Sequence, residues 1–428
     1  MLPFQLQALE LPQPLGSADF LEFDQLKAEL GQLLFYDPIL SGNRNISCGT
    51  CHNHALGSGD GLSLGIGEGG QGIGTKRTAG SGDDQIRKRI PRNSPALWNL
   101  GSKEISTLFH DGRVSISDVY GNGFNTPAEE WLPQGIDNIL AAQAMFPVTS
   151  QFEMAGNPKE NEVAGATHDR IDAVWPILAK RVRVIPEYGE MFIRTYSDVA
   201  QPSDVNITHI VNAIGAFIGL EWQSFDSAFD EYLSGDESAL KPTERNGLNL
   251  FYGKARCVEC HSGKLLTDQK FYAIALPQFG PGRTRRFDPM VRDVGRMAQT
   301  DRLEDAYRFR TPALRNVALT GPYGHNGAYS TLEGIVRHHL NPESAFESWE
   351  IEQAKLPEVP WLSEVDYVAY QDDRERNRLK SNIDIQSVEL TDIEVEELIA
   401  FLNSLTGGSS VKGRFGRPER LPSGLEVD

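Results

Sequence analysis

All four cysteines of this 428-residue chain fall in two copies of one five-residue pattern, Cys48-Gly-Thr-Cys51-His52 and Cys257-Val-Glu-Cys260-His261. None is left for a disulfide. Cys-x-x-Cys-His is the attachment pattern for c-type haem. The chemistry explains the spacing: two thiols add across the haem vinyl groups, and the adjacent histidine is placed to ligate iron from one face. A zinc ribbon gathers four cysteines at one ion, and the separation of about 200 residues between these pairs is unusually long for that. A thioredoxin-like redox pair needs no following histidine. The pattern therefore predicts two covalently bound haems c, on Cys48 and Cys51 and on Cys257 and Cys260, with His52 and His261 as the proximal iron ligands.

A weak internal repeat accompanies the two motifs. Gly31-Gln-Leu-Leu-Phe-Tyr36 precedes the first and Gly247-Leu-Asn-Leu-Phe-Tyr252 the second. Each closes a predicted helix, marked by Leu26, Leu30, Leu33 and Leu34 in one case and by Leu248 and Phe251 in the other. The repeat suggests two related haem-binding domains. Between them Ile207, Ile210, Val211, Ile214, Phe217 and Ile218 recur at helical spacing. Pro202-Ser-Asp reads as a linker and helix start, which places the domain boundary near residue 200. The domains are then 1–200 and 201–428, with the C-terminal segment packing back on the first.

Gly57 to Gly82 is rich in glycine and lacks apolar periodicity, so it predicts a long loop, either lying over the first haem or a plain surface excursion. Residues 372–380 form a charge run expected on a solvated surface. Thr391-Asp-Ile-Glu394 is a capping box opening a last helix, with Leu398, Ile399, Leu402 and Leu405 on its apolar face and Gly407 as its stop. Strand alternation is scarce. The fold class expected is mainly α, two cytochrome c-like haem domains with long ordered loops.

The formal net charge of −18 argues against nucleic acid and anionic membranes as partners. No apolar run is long enough for a transmembrane helix. Met1-Leu-Pro-Phe lacks the basic and apolar regions of a secretory leader. Haem attachment of this kind takes place outside the cytoplasm, so a periplasmic location is expected all the same.

The motifs together resemble those of the bacterial di-haem cytochrome c peroxidases and their relative MauG, a di-haem enzyme that oxidises a protein substrate. The resemblance runs from about Leu26 to Thr406. Leu33-Leu-Phe-Tyr-Asp-Pro, Leu40-Ser-Gly and Ile46-Ser-Cys48 resemble the lead-in to the first haem. Arg92-Asn-Ser-Pro95, Phe109-His-Asp-Gly-Arg113 and Phe152-Glu-Met154 follow in the family's order. Thr311-Pro-Ala-Leu-Arg-Asn-Val-Ala-Leu-Thr320 then runs into Gly321-Pro-Tyr-Gly-His-Asn-Gly327 and Thr331-Leu-Glu333. The resemblance implies that the N-terminal haem reacts with peroxide while the C-terminal haem takes in and passes on electrons. It also implies an active-site pair, Gln143 and Glu153. The chemistry asks for such a pair independently: a carboxylate can move the peroxide proton, and a neutral amide can orient the peroxide. A calcium ion is implied too, on the Asn93 side chain and the carbonyls of Thr320 and Pro322, and oxygen-only ligation suits that ion.

Three departures from the family pattern shape the reading. The cytochrome c peroxidase members carry a loop histidine that ligates the first iron until reduction. The comparable stretch here, Gly65-Ile-Gly-Glu68-Gly-Gly, offers Glu68 instead. The first haem is therefore expected to be open on its distal side at rest, as in MauG. The family's inter-haem tryptophan is replaced by His110, which excludes a tryptophan relay there. The sixth ligand of the second haem, methionine or tyrosine in the family, falls at His339. Helical spacing supports this, since Ser330-Thr-Leu-Glu333 reads as a capping box and Leu332, Ile335, Val336 and His339 share one face, with His338 turned about 100° away. His54, His168 and His209 are assigned no role. The function expected is a di-haem c-type peroxidase reducing hydrogen peroxide. Its electrons come from a donor protein, a small cytochrome or cupredoxin. The alternatives are a MauG-like oxidase of a partner protein and a non-enzymatic electron carrier. A homodimer is the assembly considered.

Overall fold

The computed structural model describes residues 11–284 and 291–428. The leader reading at residues 1–4 lies outside them. Helices joined by long ordered loops make up most of the described chain, and strands are confined to two small sheets. Thr107–Leu108, Val114–Ile116 and Phe124–Asn125 form an antiparallel trio, and Phe271–Tyr272 pairs with Phe309–Arg310. The mainly α class holds, and the two motif regions are built alike.

In the first region helix Gln25–Tyr36 starts at Asp24, whose carboxylate accepts from Lys27 N. It buries Leu30, Leu34, Phe35 and Tyr36 and leaves Leu26 toward solvent. Its partner is helix Ile207–Glu221, capped by Asn206 and buried along nearly its whole length. The two cross at Gly31, where a Cβ would stand 1.9 Å from the Ala213 carbonyl oxygen. In the second region helix Pro242–Tyr252 crosses helix Asp392–Asn403 at Gly247, where a Cβ would stand 1.9 Å from the Glu397 carbonyl oxygen. A phenylalanine one turn further on, Phe217 or Phe401, packs against the same glycine in each pair. The sequence repeat is thus a packing repeat: glycine lets two helix backbones meet just before each Cys-x-x-Cys-His turn.

The predicted last helix begins with its Thr391–Glu394 capping box in place and ends at Asn403, before Gly407. The core around the first helix pair runs from Leu15 through Trp222 and takes in Leu265 and Leu421 from later in the chain, while a second core gathers Phe229 and later residues. Three other readings need correction. Pro202–Asp204 is a single 3-10 turn, and Asn206 rather than this segment caps the following helix. Thr331, not Ser330, caps helix Leu332–Leu340 by accepting from Gly334 N, while Glu333 pairs with Arg337. The charge run is helix Asp373–Ser381, and it is not wholly solvated: Glu375 is fully buried against Arg292. Glu375 with its ion pair and the buried Leu379 anchor this largely polar helix.

The C-terminal stretch returns to the first region. The Glu221 carboxylate accepts three consecutive backbone N–H groups, of Arg414, Phe415 and Gly416. Ser423 donates to Asp37, and the Asp428 carboxylate accepts from Ser47 and Thr50 at the start of the Cys48–Cys51 turn.

Candidate functional site

One cavity collects most of the residues singled out in the N-terminal half. The Cys48–Cys51 turn places Cys48, Cys51 and His52 on its wall. The His52 ring is oriented by its Nδ1, which lies 3.0 Å from the Ser58 carbonyl and 3.3 Å from the Ser94 hydroxyl. Nδ1 is thereby occupied, and Nε2 is left for a metal ligand role. Gln143 reaches the cavity from the short helix Ile139–Ala144, which Asn138 caps. Glu153 reaches it from a π-helical turn, Gln151–Ala155. Such turns are rare and concentrate at functional sites. Burial pushes the Glu153 carboxyl above the ordinary carboxylate range, partly offset by the charges of Arg113 and Arg283 and by Ser150. A carboxyl on the cavity wall can accept a proton when ionised and return it when protonated.

Glycine-rich residues 57–82 form the expected loop, with only short 3-10 turns. Asp60 and Gly65 from it line the cavity, and burial raises the Asp60 carboxyl to about 6. Glu68 does not line the cavity. Its carboxylate is tied to Asn43 at 2.7 Å and Asn45 at 2.9 Å. His110 does line it, with Nε2 3.1 Å from the Asn93 carbonyl. Burial, and then the Arg92 charge, push His110 down to about 4.

The far wall is cationic. Arg92, Arg113, Arg283 and Arg310 all line the cavity. Two carboxylates serve them: Asp111 lies 2.7 Å from Arg92, 3.1 Å from Arg113 and 3.9 Å from Arg283, and Asp293 lies 2.7 Å from Arg92. Burial alone would raise Asp111, but Arg92, Arg113 and Arg283 together hold it far below the carboxylate range. Four guanidiniums against two carboxylates leave positive charge for an anionic group such as a pair of haem propionates. Sequence reading had no role for Asp60, Arg283 or Arg310. The one available signal was basic residues beside Gly280-Pro-Gly282 in an acidic chain.

The second set converges separately. Cys257 and Cys260 flank a turn ending in His261, whose Nδ1 lies 3.2 Å from the Leu266 carbonyl. The His261 and His339 rings face each other with centroids 6.4 Å apart. A metal bound by two imidazole nitrogens at about 2.0 Å each, with ring centres about 1.1 Å behind them, gives roughly 6.2 Å. The separation matches what two histidines ligating one iron would show, with the ring planes tilted by 57°. His339 Nδ1 is bound to the Ile335 carbonyl at 2.8 Å, again leaving Nε2. His338 has neither nitrogen to spare: Nδ1 meets the Tyr329 hydroxyl at 2.8 Å and Nε2 the Ile274 carbonyl at 2.6 Å.

Asn93 donates its side-chain N–H to the Leu62 carbonyl at 2.8 Å, which leaves Oδ1 as its hard oxygen donor. Its backbone N–H bonds the His325 carbonyl at 2.9 Å, tying it to the turn that follows Thr320 and Pro322. No contact among the described residues joins Asn93 to Thr320 or Pro322 directly. His54 packs on Glu221 at 3.2 Å, and His209 bonds Asp198 and Asn206.

Residues 25–238 match the family described as di-haem cytochrome c peroxidase. The chain is 31% identical over 320 residues to the cytochrome c551 peroxidase of Nitrosomonas europaea, covering 74% of each chain. It is 28% identical over 315 residues to the methylamine utilization protein MauG of Methylorubrum extorquens, covering 73% of this chain and 68% of that one. Among solved structures it is similar to a MauG-like protein associated with microbial copper homeostasis. The TM-score there is 0.61 at 25% identity, over 98% of this chain and all of the other.

Proposed function

The chain belongs to the di-haem cytochrome c peroxidase family, and from that premise we propose that it reduces hydrogen peroxide at the haem held by its N-terminal motif. The observation that carries this reading is the single cavity in which Cys48, Cys51 and His52 meet Gln143 and Glu153. Cys48 and Cys51 would attach the first haem covalently, with His52 as its proximal ligand and the guanidiniums of Arg113, Arg283 and Arg310 toward its propionates. Cys257 and Cys260 would attach the second, between His261 and His339. The haem iron supplies a site for peroxide oxygen and a store of electrons.

The protein's own residues do the proton work. Hydrogen peroxide takes up two electrons and two protons and leaves as two waters. Glu153 would take the proton from one peroxide oxygen and return it to the other as that oxygen leaves. Gln143 orients the peroxide through its amide. The electrons come from a donor protein, for which a small cytochrome or a cupredoxin is the expected class. Asn93 Oδ1 with the carbonyls of Thr320 and Pro322 would hold a calcium ion, a donor set of hard oxygens. A periplasmic location follows from where thiols are joined to haem, and a homodimer is the assembly to test. A second reading, oxidation of a partner protein, draws support from the likeness to MauG and from Glu68 being turned away from the cavity.

The test is the rate of the peroxide-dependent change in the haem absorption spectrum, followed by stopped flow before any donor is added. Glu153→Gln should keep both haems yet slow that change about 10²–10⁴-fold. The wild-type rate should rise with pH through a midpoint above the ordinary carboxylate range, because a raised carboxyl works as a base only once ionised. The variant should lack that limb. A Glu153→Gln protein as fast as wild type would remove the proton-transfer role. A wild-type protein indifferent to peroxide would favour a plain electron carrier.

A further inference from the structure

The π-helical turn that carries Glu153 is clamped from two sides. On one side Gly42 N–H donates to the Met154 carbonyl at 2.7 Å, and a Cβ on Gly42 would stand 1.8 Å from the Ala155 oxygen. On the other a Cβ on Gly67 would stand 1.8 Å from the Phe152 oxygen, so the glycine-rich loop lies flush against the turn. The next residue, Glu68, touches all three parts. Its backbone N–H donates to the Glu153 carbonyl at 3.0 Å and is shared with Phe152 at 3.3 Å. Its Oε1 accepts from Asn43 and Asn45, just after Gly42 on the opposite flank. The side chain is buried and lies off the cavity wall. Behind it Arg77, also buried, fixes the loop's course by donating to the carbonyls of Ile66, Gly67 and Gly72 at 2.6–2.8 Å.

We propose that Glu68 is a positioning residue: it locks the glycine-rich loop to the 42–45 segment and so holds the Glu153 turn with its carboxyl facing the peroxide cavity. A π-helical turn is intrinsically unfavourable and persists only where its surroundings over-determine it. Glu68 supplies that constraint on both flanks at once. Asn43 and Asn45 are themselves exposed, and Asn43 also reaches Glu160 at 3.2 Å, so what the buried Glu68 carboxylate contributes is a tether between the two flanks rather than the satisfaction of two buried donors. Displacements of about 1 Å at a reacting group can cost of order 10²-fold in rate. The inference rests on Glu153 being the proton-transfer group.

The experiment uses the haem-loaded protein and reads two quantities. One is hydrogen–deuterium exchange of peptides covering 64–70 and 150–156. The other is the peroxide-dependent spectral change. Glu68→Ala should raise exchange in both peptides and slow the spectral change about 10–100-fold, with haem content unchanged. Glu68→Gln keeps an Oε1 acceptor for Asn43 and Asn45, so it should restore wild-type exchange and come within about 3-fold of the wild-type rate. Glu68→Ala with wild-type exchange and rate overturns the proposal. So does Glu68→Gln as slow as Glu68→Ala, which would make charge rather than position the effect. Glu153→Gln at the wild-type rate would instead sink the proton-transfer reading, and the exchange data alone would then decide whether Glu68 holds the turn.

Discussion

Asp111 is the side chain on which the cationic wall of the cavity depends. It is fully buried and faces Arg92, Arg113 and Arg283. Asp111→Asn keeps the shape and removes the charge, leaving the buried Arg113 guanidinium without its counterion while Arg92 keeps Asp293. Breaking a buried pair by removing one partner costs about 3–5 kcal/mol, and urea unfolding of the haem-loaded protein should show a loss of that size. The sign with pH is fixed by the direction of the shift. The folded carboxyl is depressed, so its contribution is fully present above the unfolded value of about 3.9 and is lost only as pH falls through the folded value. The difference between wild type and variant should therefore be flat from pH 5 to pH 8. A difference that fades across that range would place the effect on another group. His52 and His261 could be picked out in the sequence because the Cys-x-x-Cys-His motif fixes residue type and spacing, whereas Gln143 and Glu153 are reached only through the family resemblance. Asp60, Arg283 and Arg310 could not be picked out, because a cavity wall assembled from a loop and from the other half of the chain has no local period.

The helices before each motif were legible from their leucine and phenylalanine spacing, but the reason for the glycine in each was not. Gly31 and Gly247 are where two backbones meet, and a methyl group there would stand 1.9 Å from a carbonyl oxygen. Gly31→Ala and Gly247→Ala should each destabilise by about 2 kcal/mol, overpacking outweighing the better helix propensity of alanine. Thermal melts of the two variants decide it, and an unchanged or raised midpoint would show that the helices separate freely. Helix Leu332–Leu340 poses a different question, with two adjacent histidines. His339→Ala should turn the second iron high-spin. His338→Ala should leave it low-spin but cost about 1–3 kcal/mol, since the Tyr329 hydroxyl and Ile274 carbonyl lose their partner. The reverse assignment in the visible spectra would exchange their roles. Helical period put His339 on the inward face and His338 away from it, yet His338 is the more deeply buried of the two, and the cap at Thr331 and the π-helical turn at 151–155 were not legible. Both depend on which of several neighbouring polar groups the tertiary packing leaves free.

Taken together the two halves repeat one plan and then depart from it on a single side of each haem site. The helix pairs, the glycine crossings and the Cys-x-x-Cys-His turns correspond. The sides opposite the proximal histidines do not. Facing the His261 ring is that of His339, with centroids 6.4 Å apart. In the cavity of His52 the other histidine is His110, whose Nε2 is bound to the Asn93 carbonyl. Glu68, at the place where the cytochrome c peroxidase members have their loop histidine, is bound to Asn43 and Asn45. The same polypeptide should therefore hold two irons of different ligation in its resting oxidised state. Two strong imidazole ligands make a low-spin centre, and one imidazole with an open or water-filled opposite face makes a high-spin one. Electron paramagnetic resonance of the resting ferric protein should show one signal of each kind in equal amount, without prior reduction. Peroxide added to that resting protein should then react at once, whereas a first iron closed by a second side chain would need an electron first. Two low-spin signals at neutral pH, joined to a peroxide reaction that begins only after reduction, would mean that the loop carrying Glu68 moves onto the first iron. The division of labour between the two halves would then be switched by reduction rather than built into the fold.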